Sequence, residues 1–298
     1  MNLDTRFPRL NLGQTDGLAA GVAAHHAIDV GTRSDVGRVR ENNEDSLRVA
    51  PELNLFLLSD GMGGQACGEV ASRLAVDSLL TYCRETQARP GRNPAGEHAG
   101  AVNGTSSWLA GGIQWANRIV YRAAHENGDR RGMGATIVAV KCAGQRLSIA
   151  HVGDSRAYRL RRGCLEQLTQ DHSLAMEQMR LGLVGEAGGG LRNILTRAVG
   201  VEPEVEVDIK EESMLDGDIV LLCSDGLTHE LSDKQIAGIL RDAENAQEAA
   251  DVLVDFANQA GGADNITAIV IRRVRQTPGV VSTIGRLSRW FKVPGTRS

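Results

Sequence analysis

The sequence predicts an α+β domain built in layers, and three observations carry that prediction. Short apolar runs come in groups, and the groups alternate with pairs of amphipathic stretches of helical period. Several runs, Leu55-Phe56-Leu57-Leu58 and Ile219-Val220-Leu221-Leu222 among them, are apolar at every position, as strands are when both faces are covered. Two of these strands finish alike. Ser59-Asp60-Gly61 and Ser224-Asp225-Gly226 each put an aspartate at the tip and a glycine where the chain must turn.

Residues 1–26 show no sustained periodicity and read as an N-terminal extension to a domain over 27–275. Two short strands occupy Arg48 to Gly61, and a helix follows from Gly68 to Arg84. Residues 88–112, rich in Gly, Pro, Ala, Asn and Ser, read as a flexible loop. Ile113, Ala116, Val120 and the Ala123-Ala124 pair then mark a helix over Trp108 to Asn127. Strands are expected over 135–141, 146–152, 155–161 and 165–168, separated by Ala-Gly, Gly-Asp and Arg-Gly turns. A helix over 172–182 runs into a Gly-rich stretch, 182–190. Strands over 205–209 and 218–223, helices over 233–242 and 246–260, and a last strand over 266–274 complete the domain. Residues 276–298 form a basic tail.

Composition bounds the reading. The chain has 298 residues, 42% of them hydrophobic, enough for a sizeable core. Aromatics are only 3%, so that core must rest on Leu, Val, Ile and Ala. No apolar run is long enough to cross a membrane, and the first 27 residues lack the compact apolar segment of a signal peptide. Cys67, Cys83, Cys142, Cys164 and Cys223 are odd in number and scattered, a pattern for reduced thiols in the cytoplasm and against zinc or disulfides. From Arg272 onward there are seven basic residues and no acidic ones. The first 271 residues therefore carry 26 Lys and Arg against 37 Asp and Glu, a balance of −11. Such a body repels nucleic acid and attracts cations.

The acidic residues fall at informative places. Glu44 and Asp45, Asp60, Asp154, Asp225 and Asp264 all stand at strand ends or tight turns, where rigid scaffolds present functional groups. A lone Asp-Gly is ordinarily just a turn. If these carboxylates converged, each close pair would cost about 4 kcal/mol at an effective dielectric near 20. Mg²⁺ or Mn²⁺, which prefer oxygen donors, would relieve that repulsion.

The ordered motifs Arg40-x-x-x-Glu44-Asp45, Asp60-Gly61-Met62-Gly63-Gly64, Met133-Gly134-Ala135-Thr136, Gly153-Asp154-Ser155-Arg156-Ala157, Ser224-Asp225-Gly226-Leu227 and Asp264-Asn265-Ile266-Thr267 resemble the series of the type 2C metal-dependent protein phosphatases in their compact bacterial form. The resemblance implies a four-layer α-β-β-α sandwich of two antiparallel sheets flanked by helices. It implies hydrolysis of phosphoserine and phosphothreonine on proteins by a hydroxide held between two cations, opposing a Ser/Thr kinase. Carried over by position, Asp60 would bridge two ions of Mn²⁺ or Mg²⁺, with the Gly61 carbonyl as a further ligand. Asp225 and Asp264 would complete the first ion. Glu44 and Asp45 would orient water on the second, and Asp154 with Asp225 would hold a third. Arg40 would bind the substrate phosphate through its guanidinium fork, the competing reading being a surface pair with Glu44.

Two departures from the family pattern stand out. Where some members carry a histidine as general acid, this chain has Met62, which moves leaving-group protonation to a metal-associated water. The flap beside the active site, about 173–195, is short and Gly-rich, so it is expected to be locally unstable and to gate access without conferring specificity. His151 and His172 lie close to the motifs and read as core or turn histidines. In the tail, Ile284, Leu287 and Phe291 share a helical face among Arg286, Arg289 and Lys292, which suits weak contact with an anionic membrane or docking on an acidic surface. The chain is expected to be a monomer. Two other readings stay open: a non-catalytic signalling scaffold of the same fold, and a phosphatase of an anti-sigma-factor antagonist.

Overall fold

Apolar side chains that alternate across the strands set the layers. The computed structural model describes residues 26–63, 67–88, 104–126, 128–182 and 194–275. The strands are β1 (His26–Asp35), β2 (Asp45–Ala50), β3 (Leu55–Met62), β4 (Gly134–Ala135), β5 (Ile137–Ala143), β6 (Arg146–Val152), β7 (Arg156–Arg161), β8 (Cys164–Gln167), β9 (Asp208–Ser213), β10 (Ile219–Cys223) and β11 (Ile266–Arg275). The helices are α1 (Cys67–Ala88), α2 (Thr105–Glu126), α3 (Leu174–Arg180), α4 (Asp225–Glu230), α5 (Asp233–Asp242) and α6 (Ala246–Ala260). One sheet has the order β1-β11-β10-β7-β8. The other runs β2-β3-β5-β6-β9, with β4 added beside β3, and every pairing is antiparallel.

The unbroken apolar runs now have a physical account. On β3, Leu55 and Leu57 pack against α1 and α2, while Phe56 and Leu58 face the second sheet. On β10, Leu221 and Cys223 join the core under α4, α5 and α6, while Val220 and Leu222 meet Phe56 and Leu58 between the sheets. Ala268 and Val270 against Ile269 and Ile271 repeat this on β11. Three apolar layers between four layers of structure are the α-β-β-α sandwich.

The differences from the sequence reading lie mainly at the edges. β1 was not expected. It pairs with β11 along its whole length but packs only Ile28 and Val30 toward the inter-sheet core, so Gly31, Arg33 and Asp35 obscure its pattern. The expected strand over 205–209 lies instead at Asp208–Ser213, an edge strand that alternates toward solvent. Helix α2 begins at Thr105, inside the stretch expected to be loop, and the Ser-Asp-Gly turn at Asp225 opens the short helix α4. Residues 1–25 of the N-terminal extension, residues 183–193 of the flap and the basic tail lie outside the described residues, and His26, expected to belong to the extension, begins β1. Among the described residues no helix is long and apolar enough to cross a membrane.

Candidate active site

The two Ser-Asp-Gly strand ends belong to different sheets and meet at one end of the sandwich. Asp60 stands near the end of β3, directly across from Asp45 at the start of β2. Asp225 is the first residue of α4, immediately after β10. Asp154 sits in the β6–β7 turn, Asp264 precedes β11, and Arg40 and Glu44 come from the β1–β2 loop. Arg40, Glu44, Asp60, Gly61, Asp154, Asp225 and Asp264 line a single cavity of about 790 Å³. Asp45 does not line it. It lies buried behind Asp60, where its Oδ2 accepts a 2.7 Å hydrogen bond from Ser224 Oγ.

Residues that the sequence reading gave no role hold these loops together. Asn265 Nδ2 donates to the carbonyls of Val36 and Asn42, both at 2.9 Å, and its Oδ1 accepts from the Glu44 amide at 2.8 Å. Thr136 Oγ1 accepts from the Asp60 amide at 2.9 Å and lies 2.7 Å from Ser155 Oγ, beside Asp154. Ser224 Oγ also accepts from the Thr267 amide at 3.0 Å. Asn265, Thr136 and Ser224 each sit within a motif, which is the one sequence signal that could have flagged them. Close backbone approach matters too: a Cβ on Gly61 would lie 2.0 Å from the Gly68 carbonyl oxygen, so the turn after Asp60 admits only glycine.

Charge is the distinguishing property of this cavity. Burial, then repulsion from Asp45, Asp225, Asp154 and Asp264, holds the Asp60 carboxyl well above the usual carboxylate range. Burial pushes Asp45 up to about 7, even though hydrogen bonds from Thr267 and Ser224 favour its charged form. Asp154 also rises to about 7, through burial and then the charges of Asp225 and Asp171. Burial raises Asp225 and Glu44 as well. Little positive charge answers them. Arg40 pairs with Asp264 at 2.8 Å, where a pair with Glu44 had been the competing reading, and Arg197 is bound to Asp208 at 2.6 Å.

The oxygen-only donor set and the deficit of cations fit divalent metal. Asp225 Oδ1, on the cavity wall, is buried without a hydrogen-bond partner, which protein groups would ordinarily supply.

A family model described as protein phosphatase 2C matches residues 37–266. The chain belongs to the type 2C protein phosphatases. It is 38% identical to the serine/threonine phosphatase stp of Listeria welshimeri over 247 residues, 81% of this chain and 94% of that one. It is 32% identical to the protein phosphatase PhpP of Streptococcus pneumoniae over 250 residues, 82% of this chain and 97% of that one. Among solved structures, the catalytic domain of the phosphatase PstP in complex with two manganese ions superposes with a TM-score of 0.72 at 33% identity, covering 84% of this chain and all of that one. This chain is therefore a metal-dependent serine/threonine protein phosphatase, and its substrates are phosphoproteins.

Proposed function

We propose that the cavity at the end of the sandwich is the catalytic centre, with the roles divided as the motif positions imply except at Asp45, which does not line it. The observation that carries this reading is the convergence of buried carboxylates that outnumber the cations near them, Arg40 on Asp264 and His229 beside Asp225. Asp60 would bridge two ions, joined by the Gly61 carbonyl. Asp225 and Asp264 would complete the first, and Asp154 with Asp225 a third. Glu44 faces the cavity and would orient water at the second ion. Asp45, one layer behind, would hold Asp60 and Ser224 in place. Bound there, Mn²⁺ or Mg²⁺ supplies the acidity that makes water nucleophilic near neutral pH and the positive charge set against the phosphoryl oxygens.

The chain's own residues do the rest. Arg40 is more than half exposed at the cavity mouth, and its guanidinium can leave Asp264 to grip two phosphate oxygens. Met62 lines the cavity and offers no proton, so the leaving alkoxide takes its proton from water. Cys83, Cys142 and Cys223 are buried, with thiols pushed up to about 12, which makes them inert fillers rather than nucleophiles.

PstP was solved with two manganese ions, and that supports Mn²⁺ as the working metal here. The wider reading is a cytoplasmic monomer that opposes a Ser/Thr kinase, with residues 27–275 as the catalytic unit and a tail suited to weak contact with anionic surfaces. Hydrolysis of p-nitrophenyl phosphate and of a phosphothreonine peptide, with and without Mn²⁺, tests the centre. Asp225→Asn is expected to lose about 10²-fold or more in turnover. Wild-type turnover in that variant would overturn the assignment.

A further inference from the structure

Among the described residues, one group brings three potential metal ligands within 4.8 Å of one another, and it lies outside the catalytic cavity: His151, His172 and Asp208. The hydrogen bonds argue against a metal there. The Gly153 amide donates to His172 Nδ1 at 3.1 Å, so that nitrogen carries the lone pair and the proton sits on Nε2. A ligating histidine does the reverse, donating from one nitrogen while the other binds the ion. His172 Nε2 instead faces Asp208 Oδ2 at 3.4 Å, an electrostatic contact short of a well-formed hydrogen bond, and has no other partner.

The same bonds place His172 at a junction. It grips Gly153 twice, since its own amide donates to the Gly153 carbonyl at 3.0 Å. Gly153 has φ +101°, and a Cβ there would lie 2.6 Å from Thr136 Cγ2, so only glycine fits the turn that presents Asp154, and its position depends on the bonds that hold it. On the far side of that turn, Arg156 is bidentate to Asp171, the neighbour of His172. His172 also ties the two feet of the flap. Its carbonyl accepts from the Thr196 amide at 2.9 Å, and the next residues, Ser173 and Leu174, pair with Leu195 and Ile194. The ring is 2% exposed and stacks on His151 at 4.7 Å. Burial lowers His172 to about 4, which keeps it neutral.

We infer that His172 is a positioning residue that locks the Asp154 turn to the base of the flap through the Gly153–Nδ1 hydrogen bond, and so sets the affinity of the ion that Asp154 holds. The inference rests on the reading that Asp154 is a ligand. Two substitutions separate the two ends of the ring. In His172→Asn the Oδ1 stands where Nδ1 stood and can accept from Gly153. In His172→Gln the amide nitrogen reaches toward Asp208 and the bond to Gly153 is lost.

The test is calorimetric titration of Mn²⁺ into metal-free protein for wild type, His172→Asn, His172→Gln and Asp154→Asn, with thermal midpoints measured alongside. The expected result is that His172→Gln weakens the Asp154-dependent site by about tenfold or more, while His172→Asn stays within about threefold of wild type. Equal weakening in the two His172 variants would mean a packing role only and would overturn the inference. Wild-type binding in both variants, with Asp154→Asn weakened, would also overturn it and leave the assignment of Asp154 intact. Unchanged binding in Asp154→Asn would remove that assignment and the inference with it.

Discussion

At the scale of single residues, the catalytic carboxylates are held by partners that do no chemistry. Ser224 illustrates this: its hydroxyl donates to Asp45 and accepts from Thr267, joining the two sheets at the site. Ser224→Ala is expected to cost about 1–3 kcal/mol, because it takes one hydrogen bond from the buried Asp45 carboxyl and leaves the buried Thr267 amide without its acceptor. Urea unfolding checks this. Arg40 is a different case, an exposed side chain whose present partner substrate would replace. Arg40→Ala is expected to raise KM for phosphopeptides by about tenfold or more with a smaller effect on kcat, and Arg40→Lys should not restore it, since an ammonium cannot match two phosphate oxygens. Steady-state kinetics on a phosphothreonine peptide decide. The aspartates were legible because each sits in a turn signature. Asn265 and His172 were not, because what they do depends on residues far along the chain.

At the scale of elements, the start of α1 shows how closely secondary structure is fitted to the site. A Cβ on Gly68 would lie 2.3 Å from Glu44 Oε2 and 2.8 Å from the Gly61 carbonyl carbon. Gly68→Ala should therefore displace Glu44 and the turn after Asp60, lowering metal-dependent turnover by about 10- to 100-fold. A fully active Gly68→Ala enzyme would show that the close approach is incidental. Buried strands were readable from their apolar runs, whereas β1 and β9 were not. As edge strands they bury one neighbour and part of one face, so hydrophobic period carries little of their signal.

At the scale of the whole molecule, the carboxylate cluster links folding to both metal and pH. Asp45 and Asp154 are raised to about 7, and Asp60 and Asp225 are raised too. The folded, metal-free protein thus binds more protons than the unfolded chain between the ordinary carboxylate range and about pH 7, and its stability falls as pH rises through that window. His151 and His172 are lowered, which works in the opposite sense below the ordinary histidine range. The gain in thermal midpoint from saturating Mn²⁺ should accordingly grow from pH 5 to pH 8, as the ions take over from protons. A gain that is flat with pH would contradict the charge reading. In the native protein Cys164, the exposed thiol, should react first with a disulfide reagent, and Cys83, Cys142 and Cys223 only on unfolding.

What this sequence determined by itself was local: which strands are covered on both faces, where aspartates stand at strand ends, and the order of motifs that placed the chain among phosphatases. These are legible because burial of a face and the geometry of a turn are properties of neighbouring residues. Only the tertiary structure decided that Asp45 lies behind Asp60, that Arg40 rests on Asp264, and that His172 joins the flap to the Asp154 turn. Those outcomes hang on hydrogen bonds and ion pairs between segments as much as 224 residues apart, as Arg40 and Asp264 are, and no local pattern records which donor will find which acceptor.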